Sequence, residues 1–289
     1  LSLIGTALHV QHIEACPDIG PICATTPQTP YQHDQHLYTT DLSADFELGL
    51  APNLALHILA GIRQVTDRIQ YLDLEGAAFT PPIPDTHHRN ETIIGPTDPW
   101  IMMHFGTDLD SNTWIVSAQG GITLPFGSTV ANPFRLGDLG IPHEHVQLGT
   151  GTVDLVTGLS IERRFEALRI SAWTLDRFTV FTNRFGYKAG HRLLGALQAS
   201  SPLGTGDFDF TLGIDLFREM AETWSGVVES EGNLGRTDLF ADAGIAWRFA
   251  DGYRAMLDVK VPFWTHATGE QVHYPAILTL GIALPLLVD

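Results

Sequence analysis

Thirteen histidines in a chain of 289 residues make metal chemistry the first question. His143-Glu144-His145 forms one cluster, His87-His88 a second and His33-x-x-His36 a third. Imidazole and carboxylate donors hold Zn²⁺ or Cu²⁺ when three or four of them converge. These groups fall in separate loops, and His-Glu-His lacks the helical i, i+4 spacing of a hydrolytic zinc motif. They read as polar external loops, so no metal and no cofactor is expected. Asp108-Leu-Asp110-Ser-Asn112 opens like a calcium loop, but Thr113 stands where the sharp turn needs glycine and Gln119 where the closing glutamate belongs. That segment reads as a hairpin turn. His104, Ser117 and Ser160 are available for nucleophilic catalysis, yet nothing in their spacing pairs them, and no enzymatic activity is expected. Cys16 and Cys23 bracket a Pro/Gly-rich loop and read as a local disulfide formed in an oxidising compartment. Closing so small a loop is worth roughly 2–3 kcal/mol.

The charged residues that alternate with apolar ones say more. Asp41, Asp45 and Glu47 share one strand face, as do Asp207, Asp209 and Asp215. Asp154, Asp238, Asp242 and Asp258 fall on other segments of the same rhythm, countered by Arg163, Arg169, Arg248, Arg254 and Lys260. If the apolar face of each strand meets lipid, an ionisable group on that face costs several kcal/mol. The charges must then point inward, where they form a ladder able to filter solutes with a cation bias. The other outcome is a mutually neutralised interior that conducts nothing, since small barrels are often filled by their own side chains.

The elements that would position these residues are strands. Period-2 alternation runs through most of the chain, and helix signals are nearly absent. Phe208-Asp-Phe-Thr-Leu-Gly-Ile-Asp-Leu216 is the clearest case. About twelve such segments are predicted, near 1–14, 36–51, 53–72, 98–109, 113–125, 151–165, 167–182, 187–200, 207–223, 236–250, 253–266 and 272–288. Tight turns at Pro52-Asn53, Ser111-Asn112, around Glu166, at 203–206 and at Asp251-Gly252 alternate with mostly longer connections. Short turns at one end and long loops at the other are the habit of a transmembrane barrel. Trp100, Trp114, Trp173, Trp224, Trp247, Trp264, Tyr187 and Tyr253 lie near strand ends and are candidates for aromatic girdles at the two membrane interfaces.

Composition agrees. The net charge of −17 excludes a phosphate-backbone binder, so no nucleic-acid partner is expected. Only 17% of residues are charged against 44% apolar, a poor surface for water. No apolar run reaches the ~18–20 residues of a membrane-spanning helix. The reading is one all-β domain over 1–289, a transmembrane antiparallel β-barrel of about twelve strands. A chain beginning at Leu1 is expected to be a processed or trimmed form.

Three segments also resemble a known family. Gly95-Pro96-Thr97-Asp98 opens a strand; Gly121-Ile-Thr-Leu-Pro-Phe-Gly127 ends one; and Gln147-Leu-Gly-Thr-Gly-Thr-Val-Asp-Leu-Val-Thr-Gly-Leu159 leads into the next. This pattern resembles the central hairpin of the "MetA-pathway of phenol degradation" family of outer-membrane barrels, distant relatives of the fatty-acid and aromatic-hydrocarbon channels. Its motifs cover about a quarter of the chain, and they imply transport without carrying over catalytic residues. The C-terminal Leu286-Leu-Val-Asp289 departs from the aromatic ending common in such barrels.

Together these readings predict an integral barrel of a bacterial outer membrane, surrounded by lipid and lipopolysaccharide. It would pass a small solute through an acidic and arginine-lined lumen, with the loops of His87, His88, His143, Glu144 and His145 folding over the external mouth. The alternatives are a closed barrel acting as scaffold for other envelope proteins, and a surface hydrolase.

Overall fold

The computed structural model describes residues 1–14, 29–81, 89–110, 113–143, 145–203, 207–230, 232–250, 252–269 and 273–284. Twelve antiparallel strands close into a barrel. In chain order they are β1 (Ser2–Glu14), β2 (Tyr31–Ala51), β3 (Leu54–Leu72), the broken strand β4 (Glu91–Pro96) and β5 (Trp100–Leu109), β6 (Trp114–Thr123), β7 (Asp154–Arg164), β8 (Arg169–Thr179), β10 (Arg192–Leu203), β11 (Phe208–Met220), β13 (Gly235–Ala250), β14 (Tyr253–Ala267) and β15 (His273–Ala283). Between them lie a five-residue helix, α1 (Pro133–Gly137), and a separate two-strand ladder of β9 (Tyr187–Lys188) with β12 (Thr223–Trp224).

Each wall strand pairs with its sequence neighbours, and the ring closes where β1 meets β15, Ser2 opposite Gly281 and Leu3 opposite Leu280. The Leu1 amino group donates to the Ile282 carbonyl at this seam. The pairing is longest between β2 and β3, from Gln32–Leu72 to Ala51–Leu54. Two-residue turns or short hairpins join strands at one end, and the long connections gather at the other.

Strand alternation separates two environments. Leu42, Phe46, Leu48 and Leu50 of β2 all lie near 50% exposed, whereas Asp154 and Asp238 are fully buried. Leu155, Leu159, Phe210, Leu212, Ile214, Leu278, Leu280 and Ile282 continue the exposed apolar belt around the barrel. A water-soluble protein has the opposite distribution, because lone charges are the costliest groups to bury and leucines the most readily buried. With the wall strands hydrogen-bonded neighbour to neighbour in a closed ring and leucine outside, the surrounding medium is hydrocarbon. No helix among the described residues is long and apolar enough to cross a membrane; the strands cross it.

Girdle assignments divide by parity. Trp247 stacks with Phe208 and sits beside Phe249, which meets Tyr253, forming an exposed aromatic patch at the short-turn end. Trp114 lies at the same end under the Arg163 guanidinium. Trp100 and Trp173 instead project inward, and Trp224 and Tyr187 belong to a loop core described below. The segment expected as a strand from 187 begins its wall pairing only at Arg192.

Candidate functional site

The wall strand that faces β3 is interrupted because Pro96 and Pro99 bring no N–H to a ladder. β4 pairs with the upper half of β3 and β5 with its lower half, and 97–99 lie between. Freed from the ladder, Asp98 turns into the barrel and is almost completely buried. Its Oδ1 accepts the Gly127 amide at 2.9 Å; its Oδ2 accepts the Thr150 amide at 2.7 Å and the Thr150 hydroxyl at 3.1 Å. Arg177 of β8 donates to the same Oδ2 at 3.3 Å and lies 2.6 Å from Asp154 Oδ2. Asp154 also accepts the Thr152 hydroxyl at 3.1 Å. Both roots of the long connection 124–153 are thus tied to one carboxylate.

Two glycines make this approach feasible. A Cβ on Gly149 would sit 2.4 Å from Asp98 Oδ1 and 2.6 Å from the Gly127 Cα, and one on Gly127 would collide with Gly149 in turn. The three motifs that carried the family resemblance meet here, around Asp98.

Above this knot the long connections pack on one another. Trp224 is almost fully buried between Tyr187, ring centroids 4.8 Å apart, and Phe134 of α1 at 6.2 Å. The Trp224 indole donates to Glu222 Oε1 at 3.1 Å. Burial pushes the Glu222 carboxyl above its ordinary range and raises the Tyr187 hydroxyl likewise. Asn183 joins the cap to the knot, donating to the Thr150 carbonyl at 3.1 Å.

A cavity of about 240 Å³ lies between wall and cap. Asp41, Arg63, Trp100 and Arg177 line it from the strands; Gly149, Thr150 and Tyr187 line it from the loops. Arg63 grips Asp41 with both nitrogens, at 2.6 and 2.9 Å. The fork geometry fixes both side chains at the cavity rim.

The other charged residues singled out from the sequence fall into cross-strand groups. Asp45 bonds to His57, and Glu47 Oε2 lies 3.8 Å from His104 Nδ1. Asp209 sits between Arg169 at 3.1 Å and Arg248 at 3.5 Å. Asp238 holds Arg236 at 2.7 Å and accepts the Thr265 hydroxyl at 2.7 Å. Asp215 is bonded to Lys260, Asp242 accepts Gln198 at 2.8 Å, and Asp258 comes within hydrogen-bonding reach of Asp242. Arg254 stands opposite Arg248 in the β13–β14 register. Asp207 is the exception: it is exposed at the edge of the β10–β11 turn rather than in the wall.

Sequence reasoning missed Asp98, Arg63, Arg177, Arg236 and the Arg192–Glu219 pair, whose shortest separation is 2.5 Å. Strand parity marks all of these except Asp98 as inward-facing. Ser117 and Ser160 hydrogen-bond to each other at 2.6 Å, and among the described residues neither meets a histidine. Asp108 and Asp110 end β5 at its hairpin turn, where Asp110 has φ of 50°.

Two expectations need correction. His33 and His36 lie within β2 rather than in a loop before it, and three positions along a strand put them on opposite faces. His33 packs inward on Tyr31 and Tyr71. The disulfide is also withdrawn: no disulfide is found among the described residues, and Cys16 and Cys23 both lie outside them. His87, His88 and Glu144 lie outside the described residues too. His143 is buried with its Nδ1 2.9 Å from the Ile141 carbonyl, and its ring lies 5.2 Å from that of His145.

A closed ring with leucine outside and carboxylates inside decides the setting. This is an outer-membrane barrel. Its fold is similar to that of an outer membrane channel from Pseudomonas putida F1, with a TM-score of 0.56 at 9% identity, covering 98% of this chain and 94% of that one. Weaker likenesses include a FadL homologue from Pseudomonas aeruginosa, with a TM-score of 0.44 at 10% identity over 98% and 89% of the two chains. The monoaromatic hydrocarbon channel TodX gives 0.46 at 7% identity, again over 98% and 89%. No protein-family model matches the chain, and no curated protein sequence does so. The relationship is therefore one of fold to outer-membrane channel barrels, and the narrower "MetA-pathway" resemblance is matched by no family model.

Proposed function

We propose that this barrel passes a small polar solute through the outer membrane by diffusion, without chemistry or cofactor. The path runs from the external side past the cavity beneath the loop cap, then along the ion-paired inner face to the short-turn end. The observation that carries this reading is the cavity itself, a space of mixed polar and apolar lining between the Asp41–Arg63 fork and the loop knot. Fixed, paired charges replace part of a polar solute's hydration without holding it tightly, which is what passage requires. Asp215, Asp242 and Asp258 near the single ammonium of Lys260 give the lower path a cation bias. The fold likeness to an outer membrane channel supports the same reading. The resemblance of the Asp98 motifs to the phenol-degradation barrels adds a hydrophobic solute as an alternative, which the buried carboxylates of the inner face, Asp209, Asp215, Asp238 and Asp242, disfavour.

Single-channel recording in a planar bilayer tests the proposal. Discrete steps with a cation-selective reversal potential across a salt gradient are expected. A silent bilayer from demonstrably folded protein would overturn it. The mutual pairing of the interior charges would then favour the scaffold reading, with co-purifying envelope proteins as its readout.

A further inference from the structure

β2 and β3 are longer than a membrane needs. A transmembrane strand takes about 9–11 residues, whereas β2 has 21 and β3 has 19. The apolar belt on β2 runs from Leu42 to Leu50, so the half toward Tyr31 rises beyond it together with β1. His36 stands six positions above Leu42, about 20 Å along the strand at ~3.3 Å per residue. The outer face of this projection carries a cluster that solute passage does not use.

The β1–β2 register sets His9 directly opposite His36. Strand alternation places Asp34, two residues from His36, on the same face. His9 Nε2 lies 2.6 Å from Asp34 Oδ1, and His36 Nε2 lies 3.8 Å from that same oxygen. The two imidazoles stack with centroids 4.5 Å apart and planes 11° from parallel. One donor atom from each of the three residues lies within 4.8 Å of the others. Tyr38 flanks His36 on the belt side, its ring centroid 6.4 Å away.

We propose that His9, Asp34 and His36 form a binding site for a first-row divalent transition metal, of which Zn²⁺ is the reference, on the outer wall above the lipid. Two neutral imidazoles and one carboxylate are the donor set of such ions, and Ca²⁺ or Mg²⁺ would require oxygen ligands throughout. Tetrahedral Zn²⁺ with bonds of about 2.0–2.2 Å needs donor atoms roughly 3.3–3.5 Å apart. Small rotations of three partly exposed side chains reach that spacing. The fourth position opens outward, away from the lumen, and is left to water or an external oxygen. Because His9 and His36 come from different strands, the ion pins β1 to β2 where no lipid supports them. The site is independent of the transport reading and stands or falls separately.

Zn²⁺ titration of the purified, detergent-solubilised barrel by calorimetry is the test. The wild-type protein is expected to bind one ion that His9→Ala and His36→Ala each weaken by about 100-fold or more, while His143→Ala retains it. Heat-modifiable gel mobility verifies folding of each variant. Unchanged stoichiometry and affinity in both His9→Ala and His36→Ala would overturn the assignment, as would no binding by the wild type. Diethyl pyrocarbonate footprinting of the unmutated protein reads the same site without any variant. Zn²⁺ should shield His9 and His36 while leaving His266 reactive; equal modification of His9 and His36 with and without Zn²⁺ would refute the site.

Discussion

Replacing Asp98 by alanine should loosen the long connection 124–153 while leaving the barrel closed. The carboxylate accepts two backbone amides, one hydroxyl and one guanidinium, at 2.7 to 3.3 Å, in a nearly water-free position. Hydrogen bonds to a charged acceptor are each worth about 1.5–3 kcal/mol, and removing one partner of a buried pair costs roughly 3–5 kcal/mol. Arg177 keeps Asp154, so the lower part of that range is not exceeded by the guanidinium alone. The two amides, however, are stranded. An opening free energy reduced by about 3–5 kcal/mol raises exchange roughly a hundredfold to a few thousandfold, at tenfold per 1.4 kcal/mol. Hydrogen-exchange mass spectrometry on peptides spanning 124–130 and 147–153 reads this directly, with a wall peptide such as 208–220 as the internal reference. Asp98→Asn keeps one acceptor oxygen but turns an NH₂ group toward donors, so its effect should approach that of alanine. Unchanged protection at both loop roots in Asp98→Ala would show that the knot is not what holds the loop.

Other perturbations bear on the same architecture. Gly149→Ala should reproduce the Asp98→Ala exchange pattern, because the added methyl would lie 2.4 Å from Asp98 Oδ1 and against the Gly127 backbone; preserved protection would refute the close-approach argument. Burial raises the Glu222 carboxyl above the ordinary glutamate range, so the folded cap holds that proton more tightly than the unfolded chain does. The resulting stabilisation is fully present at pH below the ordinary glutamate range and is lost as pH rises through the raised value. Exchange in 221–230, corrected for intrinsic rates, should therefore quicken from acid toward neutral pH, and Glu222→Gln should remove that trend. Lys260→Met leaves Asp215, Asp242 and Asp258 without their shared ammonium, and the reversal potential should move further toward the cation limit; a shift toward anions would contradict the placement of this cluster on the path.

How far the sequence speaks depends on the physics behind each feature. The period-2 rhythm of Phe208–Leu216 or Trp114–Leu124 is imposed by a wall with lipid on one side, and so the twelve strands could be read directly. Which charge meets which could not. Asp209 meets Arg169 across two strand boundaries, and that depends on cross-strand register rather than on any local pattern. Asp98 lies within a motif, but nothing local marks it as a hub, since its inward turn follows from two prolines suspending the ladder around it. From sequence Trp224 and Tyr187 suit a girdle as well as a core, because an aromatic ring fits an interface and a core equally. Their burial depends on Phe134 arriving from a connection far away in the chain. Residues 187–188 alternate like a strand start, yet they pair only with Thr223 and Trp224.

The β1–β15 seam bears on how the barrel assembles. Every other wall pairing joins consecutive strands, so the cylinder can grow hairpin by hairpin, each step closing a connection no longer than 124–153. Bringing Ser2 to Gly281 closes a loop nearly the length of the chain. By then the intervening chain is already paired, so the flexible-loop entropy has been met at the earlier steps, and what remains is to bend the sheet until its two edges meet. The last step of assembly must therefore curve the whole sheet at once, and it is made over one of the shorter ladders in the wall. An open sheet with two unpaired edges should be the intermediate that accumulates when insertion is slowed, and cysteines placed at Leu3 and Leu280 would time its closure by disulfide trapping.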